Sequence, residues 1–188
     1  MKVIRGLNNW DAEIPVGSVA LGYFDGVHRG HQQIIAASVQ EARRQSLPSM
    51  VLSFEPHPLA VLNPEAAPKL ITSFTDKAKL LEDLDVDFFL VLPFTPALAA
   101  TEASSFARNL LSRALRTKHV TVGYNYTFGH KGEGTPEKLT SYGQELGFSV
   151  TVIPPITING EGISSSLIRQ LISQGEIAHV AAALGRCP

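Results

Sequence analysis

Residues 18–45 read SVALGYFDGVHRGHQQIIAASVQEARRQ, and two periodicities meet inside them. Ser18 to Phe24 is a mostly apolar run without strict alternation, the pattern of a strand buried on both faces. From Gly30 to Gln45, Ile34, Ile35, Val39 and Ala42 return at helical spacing. Asp25-Gly26 between them is turn chemistry. A buried strand feeding an amphipathic helix is half of a βαβ unit, and the rest of the chain repeats the theme. Further strands are expected at Met50–Phe54, Asp87–Leu92, His119–Gly123 and Phe148–Ile153. Helices are expected at Thr75–Leu84 (capped by Ser73 or Thr75), Thr101–Arg116, Pro136–Leu146, Ser164–Ser173 and Glu176–Leu184. This alternation predicts an α/β fold with a doubly wound parallel sheet, one domain over residues 1–188, closed by the helices of 164–184. Ligands of such sheets sit at the carboxyl ends of strands, where the strand order reverses. Chemistry is therefore expected in the loops Asp25–Gly30, Glu55–Pro58 and Tyr124–Gly134.

Composition narrows the partners. The chain has 188 residues, 44% of them hydrophobic and 18% charged, so it can build a core without disulfides or a structural metal. Lys plus Arg total 16 and Asp plus Glu 17, a net charge of -1, which argues against a broad electrostatic grip on nucleic acid or an anionic membrane. The one cysteine, Cys187, gives no disulfide framework and no CxxC metal site, in keeping with a reducing cytoplasm. The N-terminal apolar stretch is too interrupted for a signal sequence. Runs such as Phe88 to Leu92 are strand-sized, far short of the ~20 residues of a membrane span. A soluble, cytoplasmic protein is expected.

Two segments carry the chemistry. In the first, His28 and His31 flank Gly30 on the opening turn of a helix, where free backbone N–H groups and the positive dipole end favour phosphate. Gly22, Gly26 and Gly30 leave room for a bulky ligand to approach the backbone. His31 also continues the stripe of Ile35, Val39 and Ala42, so taken singly it fits a core-edge histidine. A metal site from Asp25, His28 and His31 has the spacing but no HExxH motif and no nearby cysteine. In the second segment, Ser164, Ser165 and Ser166 open a helix after Gly160 and Gly162, supplying a cap and several donors. Arg169, three residues beyond Ser166, can reach the same anion. Alone, this segment also reads as an ordinary capped surface helix.

His-x-Gly-His after the first of these strands resembles the signature of the nucleotidyltransferase superfamily. The longer string Gly22-Tyr-Phe-Asp-Gly-Val-His-Arg-Gly-His31 resembles the bacterial FAD synthetase family in its FMN adenylyltransferase module. Ile163-Ser164-Ser165-Ser166-Leu167-Ile168-Arg169 is similar to that family's Ile-Ser-Ser-Thr-x-x-Arg motif, with Ser166 where threonine is usual and Gly162 where many relatives carry a basic residue. Lys131 is a candidate to compensate. Phe54-Glu55-Pro56-His57-Pro58 resembles the family's turn on the flavin side. Val122 to Gly129, then Lys131 and Gly134, resembles the family's segment after the fourth predicted strand, with Asn125-Tyr126 where many relatives have Asp-Phe.

The resemblance implies a Rossmann-like nucleotidyltransferase fold and the reaction FMN + ATP → FAD + pyrophosphate. It implies catalytic roles for His28, His31, Ser165, Ser166 and Arg169. ATP would be bound by Gly22, Phe24, Asp25, Gly30, Asn125 and Ser164, and FMN by Phe54, Pro56, His57, Pro58 and Phe128. Mg²⁺ would be held mostly by the substrates and water, with no metal-binding residues in the chain. In the family a riboflavin kinase module usually follows, near where this sequence stops, so no riboflavin kinase activity is expected from these residues alone. Two alternatives stay open: a sister nucleotidyltransferase with another acceptor, or a non-catalytic nucleotide- or flavin-binding module. A P-loop kinase is disfavoured, since Gly129 to Thr135 lacks Gly-Lys-Ser/Thr.

Overall fold

In the computed structural model, which describes residues 1–158 and 160–187, the five predicted strands and one further strand pair parallel in one six-stranded sheet. They are β1 (Lys2–Arg5), β2 (Ser18–Leu21), β3 (Ser49–Glu55), β4 (Phe88–Pro93), β5 (His119–Gly123) and β6 (Ser149–Ile153), in the order β1-β4-β3-β2-β5-β6. The order runs outward from β2 through β3 to β4, then returns past β2 to β5 and β6. The switch point thus lies between β2 and β5, whose register pairs Ser18 with His119 and Ala20 with Thr121. The sheet is doubly wound as expected.

β1 was not expected. It is an edge strand with only Ile4 buried, paired to β4 from Lys2↔Phe88 to Arg5↔Val91. Exposure of its other residues leaves no apolar run to read.

Alternate residues of the central strands feed two core layers. Val19, Leu21, Leu52, Leu90 and Val122 pack on one face with Phe106, Leu110 and Leu111. Ala20, Val51, Phe89 and Val91 pack on the other with Ile34, Ile35 and Leu81. Helix α1 (Arg29–Arg44) turns Ile34, Ile35, Ser38, Val39 and Ala42 inward. Leu21, Leu52 and Leu90 are essentially inaccessible, and truncating such a side chain to alanine costs about 2–5 kcal/mol.

The remaining helices are α2 (Pro58–Leu62), α3 (Phe74–Glu82), α4 (Pro96–Ala99), α5 (Ala103–Ser105), α6 (Pro136–Leu146), α7 (Ser165–Ser173) and α8 (Ile177–Leu184). Ser73, not Thr75, caps α3. The helix expected from Thr101 starts at Ala103 and continues as a π-helical stretch, Phe106–Ala114. A short hairpin, β7 (Thr157–Ile158) and β8 (Glu161–Gly162), leads into α7. Helices α7 and α8 have their own apolar cluster of Ile163, Ile168, Val180, Ala183 and Leu184, with Ile71 and Ile156 against it. Among the described residues no helix is long and apolar enough to cross a membrane.

Candidate active site

The turn after β2 is bent sharply. Phe24 (φ 57°) and Val27 (φ 39°) sit in the left-handed region, beside Gly26 (φ 81°). Non-glycine residues there cost about 1–3 kcal/mol each and persist only when their surroundings hold them. Three surroundings do so. The Asp25 carboxylate is buried and accepts from the Ile71 N–H at 3.0 and 3.1 Å and the Thr72 N–H at 3.2 Å. The Thr72 hydroxyl accepts from the Gly26 N–H at 3.1 Å. The Ser165 hydroxyl donates to the Asp25 carbonyl at 2.9 Å, reaching from the other end of the chain.

This turn delivers His28 as the N-cap of α1. Its Nδ1 accepts the His31 N–H at 3.3 Å, so the neutral ring carries its proton on Nε2. The two imidazoles stack with centroids 3.5 Å apart at 19°, and the Phe24 ring meets His31 edge-on at 5.2 Å. Burial pushes the His28 pKa down to about 4, only partly opposed by Asp25. Burial, then the neighbouring His28, holds His31 well below its ordinary range. The buried His31 Nδ1 has no hydrogen-bond partner among the described residues. Both rings are therefore neutral near pH 7, at a helix N-terminus that attracts anions.

The second junction faces the first. Ser164 caps α7, its hydroxyl accepting the Leu167 N–H at 3.1 Å. Ile168, fully buried, fixes the helix's inner face. The serine turn and the paired imidazoles line one cavity of about 1000 Å³ at the β2–β5 switch point. Gly22, Phe24, Gly30, Asn125, Ser164, Ser165 and Ser166 share that lining with His28 and His31, as do Phe54, Pro58 and Phe128. Phe54 meets Phe94 edge-on at 5.7 Å, and Tyr126 stacks on Phe128 at 5.7 Å, giving flat apolar walls. Among the described residues no Asp or Glu is on the lining, whose ionisable groups include His130 and Lys131.

Four expected residues lie off this lining. Arg169 does not turn toward the serines: its Nε donates to the Lys69 carbonyl at 2.7 Å and its Nη2 to Asp25 Oδ2 at 2.6 Å. Asp25, expected at the nucleotide, is instead the buried acceptor that ties 71–72, α7 and the first turn together. His57 caps α2, its Nδ1 accepting the Leu59 N–H at 3.1 Å, and Pro56 precedes it in the same turn. Gly22, which lines the cavity, also has a structural reason to be glycine. A Cβ on Gly22 would lie 2.8 Å from the Phe24 ring, so a neighbouring side chain already requires this glycine.

The structure adds residues the sequence did not single out. Thr127, Phe94 and Leu98 line the cavity, as does Tyr23. Lys77 lies buried beneath Tyr23, donating to its carbonyl at 2.8 Å with Nζ 3.9 Å from the ring centroid. Burial lowers its pKa to about 8. Its spacing from Phe74 and Leu81 puts it on the inward face of α3, where a lysine needs the long-range contact to Tyr23. Residues with metal-ligating groups do not cluster in threes among the described residues. Asn125 and Thr127 are neutral oxygens on a lining with no carboxylate among the described residues, a donor set suited to a cation arriving with its own phosphate ligands.

Residues 12–167 match the model of a family described as FAD synthetase. The chain is 36% identical over 186 residues to the bifunctional riboflavin kinase/FMN adenylyltransferase of Escherichia coli K12, covering 98% of this chain and 59% of that protein. It is 39% identical over 168 residues to the protein of the same description from Listeria monocytogenes, covering 89% of this chain and 53% of the relative. The chain thus spans little more than half the length of these relatives. Among solved structures, a Streptococcus pneumoniae protein titled macrolide-efflux protein superposes with a TM-score of 0.85 at 28% identity, covering 99% of this chain and 62% of the other. Pantoate-beta-alanine ligase from Francisella tularensis superposes with a TM-score of 0.58 at 14% identity, over 95% of this chain and 76% of that one, a likeness of fold.

Proposed function

The chain belongs to the FAD synthetase family, and from that premise we propose that it is an FMN adenylyltransferase, moving AMP from ATP to FMN. The observation that carries this reading is one cavity lined together by the turns that open α1 and α7 and by a set of aromatic side chains, with no carboxylate on its lining among the described residues. The helix N-termini suit a triphosphate and the aromatic walls an isoalloxazine ring.

An FMN phosphate oxygen attacks the α-phosphorus of ATP, the bond from that phosphorus to the β-bridging oxygen breaks, and pyrophosphate leaves with the electron pair. A phosphate monoester, with a second pKa of ~6, is already largely dianionic at pH 7 and needs no general base. The protein's task is to hold two repelling anions in line and to stabilise charge on the equatorial oxygens and the leaving group. His28 Nε2–H and the N-terminal amides of α1 approach the polyphosphate from one side. Ser166 and the amides opening α7 approach from the other. Ser165 and Arg169 act through Asp25, holding the two sides at a fixed separation. Asn125 contacts ribose or phosphate, and Lys131 adds positive charge. Phe54, Pro58 and Phe128 flank the flavin. Asn125 and Thr127 are the neutral oxygens on the lining that would help hold Mg²⁺ carried in with ATP, which would neutralise phosphate charge.

The test is incubation with FMN and MgATP, following FAD by chromatography and pyrophosphate by a coupled assay. Equal amounts of both products support the reading. Bound FMN or ATP without pyrophosphate release contradicts it, and transfer to a different phosphate acceptor in preference to FMN replaces the substrate. The curated relatives are described as riboflavin kinases as well, and this chain spans little more than half of their length.

A further inference from the structure

We propose that Arg186, beyond α8 and outside the residues matched by the family model, is a positioning residue that fixes the geometry of His28 by holding the carbonyls of the turn before it. The observations concern three carbonyls and one guanidinium. Arg186 Nη2 donates to the Gly26 carbonyl at 2.8 Å, and its Nη1 lies 3.3 Å from the Val27 carbonyl and 3.5 Å from that of Leu184. Gln32, on the first turn of α1, joins the same set: its Nε2 donates to the Val27 and Leu184 carbonyls, both at 2.8 Å. Gly185, with φ 71°, lets the chain double back here, since a Cβ would stand 3.2 Å from Arg29 Cγ. Residues 184–186 therefore form a clasp across the start of α1.

The clasp grips a part of the turn that local sequence does not stabilise. Val27 is β-branched, fully buried and in the left-handed region, a conformation such residues avoid. Its carbonyl takes the two donors just named. The next residue is His28, whose ring direction depends on the backbone that the clasp holds. A planar fork that bridges separate acceptors suits this task better than an ammonium group. Arg186 is not on the cavity lining, so any effect on transfer passes through the turn.

This inference rests on the adenylyltransferase reading for its kinetic readout, and a second readout is independent of it. The variants are Arg186→Ala and Arg186→Lys in the full chain, assayed at a temperature where both are folded by circular dichroism. Misplacing a catalytic group slightly costs up to ~100-fold. We expect Arg186→Ala to lower kcat about ten- to a hundredfold, with KM for FMN changed less than twofold and Arg186→Lys recovering part of the loss. Amide exchange in residues 24–31 should quicken about tenfold or more in Arg186→Ala, while β3 and β4 keep wild-type protection. A kcat within twofold of wild type, or faster exchange spread evenly over the sheet, overturns the proposal. Should Arg186→Ala fail to fold, Gln32→Leu is judged by the same two readouts. Should the wild type form no FAD, the adenylyltransferase reading fails, and the exchange pattern alone decides the clasp.

Discussion

Arg169 Nη2 lies 2.6 Å from Asp25 Oδ2, joining residues 144 positions apart. The pair couples the turn before α1 to the first turns of α7, the two elements whose N-termini open on the cavity. Its partners are unequally exposed: the Asp25 side chain is 2% accessible and that of Arg169 23%. Asp25 is the member that cannot be rehydrated in place.

Substituting Asp25→Ala should therefore destabilise more than Arg169→Ala. The first leaves the Ile71 and Thr72 amides and the Arg169 fork without their acceptor, and breaking a buried pair costs about 3–5 kcal/mol. The second leaves a carboxylate still bonded to backbone amides, a loss of about 1.5–3 kcal/mol for one charged hydrogen bond. Urea unfolding of both variants checks the order; equal midpoints would contradict it.

Much of this fold is legible in the chain itself, and the reasons are local. The strand at 18–24 and the helix at 30–45 are found within two or three residues, as β2 and Arg29–Arg44, because burial on two faces and on one stripe leaves different periods in sequence. Pro136 and Gly147 bound α6 because their backbone preferences punctuate a helix on their own. What was not legible depends on distant partners. Nothing near Lys2–Arg5 announces a strand, since β4 supplies its hydrogen bonds. The spacing of Arg169 from Ser166 allows an anion contact, yet Asp25 and Lys69 take its donors. His57 is a local exception: it is spent as the cap of α2, a role more often filled by Ser, Thr, Asp or Asn, so its residue type does not announce it.

Stability should fall in mild acid. His28 is depressed from an ordinary 6.5 to about 4, with His31 shifted in the same direction. Between those values the unfolded chain binds more protons than the folded one, so stability rises with pH across the window. The contribution is complete above about pH 6.5 and is lost as pH falls toward 4. Urea midpoints at pH 7 and pH 5 should differ in that direction, and His28→Ala should flatten the difference. A midpoint that stays level or rises on acidification would contradict the burial of neutral rings.

Replacing Gly22 by alanine should cost about 1–3 kcal/mol, the range for overpacking a filled core. The new Cβ would sit 2.8 Å from the ring of Phe24, itself 1% exposed and wedged against His31. Thermal melting reads the loss, and Gly22→Ala with Phe24→Leu should recover part of it.

His28→Ala and His31→Ala should each lower adenylyl transfer by ~10²–10³, the scale of removing one preorganised donor from a transition-state charge. Their joint effect should be less than the product, because the rings stack at 3.5 Å and His28 also accepts the His31 amide. Steady-state rates for the two single variants and the double variant test this; full multiplicativity would mean that the rings act independently.

The account's central claim is that the turns at His28–His31 and Ser164–Ser166 close on one polyphosphate. A crystal structure of the chain with Mg²⁺ and an ATP analogue carrying a methylene bridge between the α- and β-phosphorus atoms tests it most directly. The account predicts the triphosphate between the N-termini of α1 and α7, with oxygens within hydrogen-bond reach of His28 Nε2 and the Ser166 hydroxyl. A nucleotide whose phosphates meet only one of these turns, or lie outside the cavity, would contradict it.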